Sequence, residues 1–298
     1  MRKSKTHIVA AALAVAILAV MAFAVGCGDS STPTDGESSA AAELEGSAAD
    51  RAQAILGHAP TGLAKKIVDS GEVVVANDAN YAPQSSIDKT TNELVGFDVD
   101  AAKGMAEILG LGVKFENPAW ETIPAGLNQG RFDVSIGSMT VTSERKKALD
   151  FTDPYYYTSG QIFVAEGGPQ IAGVADLAGK KVGVGAATTY YDYLKAESDA
   201  VVKTYTTDAE TFPDLRNGNL DFVMTAGPTG QEAISQGQPF AFSGEPLYYE
   251  DLAFAIKKGE ADWLALLNHA VQTMHENGAL SDMSMTWYAG LDLTKKAE

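Results

Sequence analysis

The sequence predicts an α/β protein built as two lobes, and three observations predict it. Short apolar runs that follow glycines alternate with stretches of helical periodicity, the pattern of largely parallel sheets covered by helices. Two segments, ETIPAGLNQGRFDVSIGSMT (121–140) and ETFPDLRNGNLDFVMTAGP (210–228), repeat one order: Glu-Thr-apolar-Pro, a short helix, a glycine, an aspartate ahead of a strand, then a loop of small residues. Helix, glycine and strand are common parts, so chance similarity is the alternative. With 298 residues and 45% hydrophobic content the chain has material for two proper cores.

At the N-terminus Arg2, Lys3 and Lys5 precede an apolar run from Ile8 to Val25, which reads as an export signal. Cys27, directly after Gly26, is the only cysteine, so no internal disulfide and no cysteine-built metal site is possible. Small residues before a lone cysteine resemble a bacterial lipobox, with cleavage before Cys27 and lipidation of its thiol. The alternative is an uncleaved anchor, since the 18 apolar residues just suffice to span a bilayer. Either way residues 28 onward lie outside the cytoplasmic membrane. Gly28 to about Gly57, rich in Ser, Ala, Gly, Asp and Glu, reads as a flexible tether. Removing residues 1–26 takes the formal charge from −17 to −20, which argues against a nucleic-acid partner.

The folded part opens near Gly62, where LAKKIVDSG predicts a short helix closed by Gly71 and followed by the strand EVVVA. Phe97 to Gly110 predicts a helix that Asp98 caps, with Val99, Ala102, Ala106 and Leu109 on one face and Gly110 as its stop. In the repeated segments Gly130 matches Gly218 and Asp133 matches Asp221. Each lobe then feeds small-residue loops at the carboxyl end of its sheet, where ligands bind in open α/β folds. The predicted edge loops are 77–81, 137–145, 185–190 and 225–230.

Enzyme templates are missing: no phosphate loop, no nucleophile elbow, and no metal-ligand spacing among His7, His58, His269 and His275. KKVGVGAATT imitates a dinucleotide fingerprint, but Thr188 replaces its third glycine and no acid closes the second strand. No cofactor and no metal is expected. Arg145, one of five arginines, stands beside Ser138, Thr140, Thr142 and Ser143. From the residues alone it is equally a surface charge or an anion clamp.

GFDVDAAKGMAEILG, Trp120, NQGRFDVSIGSMTVTSERKKALDFTDPYYYTSGQIFVA, DLAGKKVGVGAATTYYDYL and GEPLYYEDLAFAIKKG occur in that order and resemble the bacterial extracellular solute-binding proteins of family 3, the polar amino acid type that feeds ABC importers. The resemblance implies a two-lobed periplasmic-binding-protein type II fold, its lobes joined by crossing strands near Thr158 to Gln161 and Glu250 to Ala253. It implies a signal peptide at 1–26, a tether at 27–61, a first lobe at 62–158 with 254–298, and a second lobe at 159–253. It makes Arg145 the bidentate partner of a ligand carboxylate, a task suited to a planar guanidinium. Gly137, Ser138 and Thr140 would contribute from the same loop, and Thr188 and Thr189 from the other lobe. Tyr81 and Trp120 would wall the pocket, and Asp78 would face the ligand's side chain.

Three positions depart from the family pattern. Ala226 stands where an aspartate usually pairs with the ligand's α-ammonium, which leaves Asp78 or Glu121 to supply the charge, or implies a ligand without an ordinary α-amino group. Gly185 replaces a polar side chain and Gln84 an aromatic one, implying a roomier pocket. The expected function is capture of an amino acid or related small carboxylate for an importer's transmembrane subunits, by a monomeric, lipid-anchored, extracytoplasmic protein. The alternative is a periplasmic enzyme on the same fold, such as a prephenate or arogenate dehydratase.

Overall fold

The computed structural model describes residues 44–296; the export signal, Cys27 and the first part of the predicted tether lie outside them. The rest of that tether departs from expectation. Ser47 opens helix α1 (Ala48–Leu56) with a capping box: Asp50 N–H donates to Ser47 Oγ (3.3 Å), and Ser47 N–H donates to the Asp50 carboxylate (2.9 Å). Ala48 and Ala52 are buried in the first lobe's core. Small residues that look like linker here let a helix pack closely.

Helix α2 (Gly62–Ser70) stops at Gly71, whose φ of 71° is left-handed, and strand β1 (Glu72–Ala76) follows. Strands β2 (Asn80–Tyr81), β3 (Ser85–Ile87) and β4 (Leu94–Val95) form a small separate sheet. Helix α3 (Phe97–Leu109) buries Val99, Ala102, Ala106 and Leu109 as the periodicity predicts. Asp98 does not cap it. Gly96 precedes the helix, and the Phe97 and Asp98 N–H groups donate to the Pro83 and Gln84 carbonyls (3.3 and 2.9 Å). A Cβ at Gly96 would lie 2.2 Å from the Gln84 carbonyl oxygen, so the backbone itself takes the capping role.

Next come β5 (Gly112–Glu116), α4 (Ile123–Asn128), β6 (Val134–Thr140), β7 (Leu149–Phe151) and β8 (Tyr156–Ala165). The second lobe holds β9 (Lys181–Gly185), α5 (Thr189–Glu197), β10 (Val201–Tyr205), α6 (Thr211–Arg216), β11 (Phe222–Ala226), α7 (Gly227–Ser235) and β12 (Phe240–Phe242). The chain returns through β13 (Tyr248–Lys257) to α8 (Ala261–Glu276) and α9 (Ala279–Trp287).

The two lobes have matching sheets. In the first, β1 lies parallel between β5 and β6; in the second, β9 lies parallel between β10 and β11. The long strands β8 and β13 pair antiparallel from Tyr156–Gly160 to Tyr248–Leu252. Beyond that crossing, β13 joins β6 and β8 joins β11, so one sheet runs through both lobes. The cores remain separate: Phe97, Met105, Phe254 and Trp263 anchor one, Ile162, Val182, Leu194 and Met224 the other.

The repeated segments have matching local structure. Gly130 and Gly218 are both left-handed (φ 69° and 73°). Asp133 accepts the Val74 N–H (2.9 Å) and Asp221 the Lys181 N–H (2.8 Å), each carboxylate fastening the neighbouring strand of its own lobe.

Candidate functional site

A cleft between the lobes is lined from the first by Asp78, Tyr81, Trp120, Gly137, Ser138, Thr140 and Arg145. The second lobe supplies Gly185, Ala186, Thr188, Thr189, Tyr190 and Thr206 to Asp208. Arg145 begins a single 3₁₀ turn after β6, its N–H donating to Thr142 Oγ1 (3.1 Å). Its guanidinium donates to the carbonyls of Thr140 (3.0 Å) and, across the cleft, Ala187 (3.4 Å). It lies 5.4 Å from the Trp120 ring centroid, a cation–π distance, and Trp120 Nε1 donates to the same Ala187 carbonyl (3.1 Å). Burial pulls the guanidinium below its ordinary range, and the Glu250 carboxylate opposes this.

Opposite Arg145 is the N-terminus of α5. Thr188 is its cap: Oγ1 accepts the Tyr191 N–H (3.1 Å) and donates to the Gly185 carbonyl (2.8 Å). That hydroxyl is therefore engaged, and the helix's first backbone N–H groups are the donors that α5 offers to an anion. Thr189 Oγ1 and Thr140 Oγ1 (3.0 Å) both donate to Glu250 Oε1, so a crossing-strand carboxylate ties the two lobes' hydroxyls together. Glu250 is 3% exposed and its Oε2 has no partner among the described residues; burial pushes its carboxyl up.

Ser138 lines the cleft but is committed inward. Its N–H donates to Tyr155 OH (3.1 Å) and its Oγ to Asp98 (2.7 Å), while Tyr156 OH donates to that Oγ (2.6 Å). The expected ligand hydrogen bonds from Ser138 are thus spent on seating the loop, whose φ of 57° at Ser138 is left-handed. Asp98 at the centre of this network is buried, which raises it to about 7 against the pull of Tyr155 and Ser138.

Two of the departures resolve differently from expectation. Ala226 does not line the cleft; it is fully buried in the second lobe's core, at the junction of β11 and α7. The loop 225–230 leaves the cleft wall with it, and residues 206–208 take its place. Gln84 is likewise buried away from the cleft, accepting from Thr229 Oγ1 (3.3 Å). Gly185 does line it, but the space of a side chain is already filled. A Cβ there would lie 2.4 Å from Asp208 Oδ1, which accepts the Gly185 N–H (3.0 Å).

Of the two acids expected to replace the lost aspartate, Asp78 faces the cleft and Glu121 is exposed elsewhere. Asp208 is the acid that sequence reasoning missed. Thr225 Oγ1 donates to it (2.8 Å), it is 5% exposed, and burial raises it to about 6, with Asp78 and Glu250 adding to the rise. Burial also raises Asp78, against hydrogen bonds from Asn80. The signal that finds Asp208 is register: Tyr205 pairs with Gly185, so the residues just beyond Tyr205 arrive beside that glycine.

With two matched lobes, crossing strands and a polar cleft between them, the molecule has the architecture of a binding protein that encloses a small solute. The family model described as bacterial extracellular solute-binding proteins, family 3, matches residues 73–290, and the chain belongs to that family. Among curated proteins it is 32% identical to the L-cystine-binding protein TcyJ of Escherichia coli (strain K12), over 80% of this chain and 90% of that one. It is 28% identical to the L-arginine-binding protein of Pseudomonas aeruginosa, over 73% and 88%. Among solved structures, a mutant of ArgBP from T. maritima superposes with TM-score 0.73 at 26% identity, covering 76% of this chain and 100% of that one. An ancestral amino acid-binding protein, a precursor of cyclohexadienyl dehydratase, superposes with TM-score 0.71 at 31% identity, covering 75% and 98%.

Proposed function

We propose that the chain captures an amino acid, or a related small carboxylate, in the interlobe cleft and presents it to the transmembrane subunits of an ABC importer. The observation that carries this reading is the pairing of the buried Arg145 guanidinium with the α5 N-terminus across the cleft. A carboxylate between them meets a planar fork on one side and free N–H donors on the other. Trp120 and Tyr81 wall the carbon skeleton. Because the ligand touches both lobes only when they approach, binding favours the closed form and no covalent step is involved.

The finer expectations belong to the same reading: cleavage before Cys27, a lipid anchor on its thiol, an extracytoplasmic monomer, and a tether up to α1. A dehydratase activity is the second reading, supported by the similarity to the ancestral dehydratase precursor and by the absence of an acid at Ala226. Incubation with prephenate and arogenate tests it, product formation being the outcome in its favour.

The primary test is a thermal-shift screen of the purified protein against amino acids, keto acids, small peptides and dicarboxylates, since a ligand selective for the native state raises its melting temperature. Arg145→Ala is expected to weaken any binding about 100-fold or more, because charge-assisted hydrogen bonds worth about 1.5–3 kcal/mol each are lost. No shift with any carboxylate, or an equal shift in Arg145→Ala, removes the reading.

A further inference from the structure

The cleft has more negative charge than its one guanidinium balances. Among its described lining residues Arg145 is the sole Lys or Arg, while Asp78 and Asp208 line the same space and Glu250 lies just behind Thr140 and Thr189. Neither Asp78 nor Asp208 has a salt-bridge partner among the described residues. The acids whose charge acts most on Arg145 are Glu250 and Asp192, whereas Asp78 and Asp208 act on each other's end of the cleft. The site is therefore polarised, with the guanidinium and Glu250 at one end and a carboxylate pair at the other.

Asp208 is also held in place for a purpose that its own lobe does not explain. Its two oxygens are fixed by the Gly185 N–H and the Thr225 hydroxyl, and glycine at 185 leaves the only space in which that carboxylate can stand. Two facing carboxylates in a largely desolvated cleft repel, and each is pushed toward its protonated form. A cation between them removes both costs.

We infer that Asp78 and Asp208 form a distal cation subsite, and that the ligand carries a second ammonium or a guanidinium at the end remote from its Arg145-bound carboxylate. This rests on the amino acid reading and narrows it to a substrate class. A basic side chain and the far half of a doubled amino acid such as cystine both supply this chemistry. Glu250, beside Arg145, takes the part that an acid at position 226 would play toward the α-ammonium.

Calorimetric titration of the purified full chain tests this. Lysine, arginine and cystine carry the distal cation; norleucine and citrulline match the first two in size without it. Lysine is expected to bind at least about tenfold more tightly than norleucine, and arginine than citrulline. Asp208→Asn and Asp78→Asn should each remove most of that preference while leaving norleucine unchanged. Preference for cystine over lysine and arginine assigns the second charge to a second amino acid head, and the reverse assigns it to a basic side chain. Equal affinity for lysine and norleucine, or equal weakening of both by Asp208→Asn, overturns the subsite while Arg145-dependent binding leaves the amino acid reading standing. If no amino acid binds, both fall together.

Discussion

At the scale of single residues, the buried carboxylates set the pH response. Asp98 sits at about 7 in the folded protein against 3.8 for the model carboxyl, so the fold binds its proton more tightly than the unfolded chain does. Stability is therefore greatest below about pH 4 for this group and falls as pH rises toward 7. Asp208, raised to about 6, adds a loss of the same sign over the lower part of that window. Asp98→Asn should flatten the decline in melting temperature between pH 4 and 7, and an unchanged slope would show that Asp98 is not its source. Arg145 was legible because a lone arginine in a hydroxyl-rich loop has few other uses. Asp208 was not, because TDAE forms a capping box between Thr207 and Glu210, and an acid inside one passes for ordinary first-turn charge. Ala226 was legible as a departure, but only the fold showed that the acid had moved to a different strand end.

At the scale of elements, helix stops were the clearest signals. Gly71 and Gly110 end α2 and α3 in left-handed turns as their positions after an apolar periodic run predict. Helix α1 escaped notice because its buried face is alanine, the same residue that fills a linker. What fixes α1 is long-range: Arg51 Nη1 donates to the Glu107 and Ile108 carbonyls (2.8 and 3.1 Å), two of the unpaired acceptors at the end of α3. Arg51→Ala should destabilise the protein by about 1 kcal/mol, read from chemical denaturation, and leave ligand affinity unchanged. No loss of stability would mean that α1 lies on the lobe without supporting it. The repeated segments were legible as a pattern, but the reason for their aspartates was not, since the strands that Asp133 and Asp221 fasten lie about forty or more residues away in sequence.

At the scale of the whole molecule, the question is what holds the lobes together over the cleft. The bridging contacts are few and polar: Trp120 Nε1 and Arg145 to the Ala187 carbonyl, Tyr81 OH to Tyr190 OH (3.2 Å), and Thr189 to Glu250. Individually each is of the order of 1 kcal/mol, so closure by them alone is marginal, and a ligand gripping Arg145 and α5 decides the balance. The paired change Trp120→Phe with Tyr81→Phe removes two bridges while keeping aromatic walls. It should enlarge the radius of gyration of the free protein in small-angle X-ray scattering, with little change in the saturated complex. Affinity should fall by the factor by which the closed population falls, about tenfold if the two bridges contribute near 1.4 kcal/mol together. If the variant and the parent scatter identically without ligand, the bridges do not govern closure, and the cleft shape is set by the β8–β13 crossing alone.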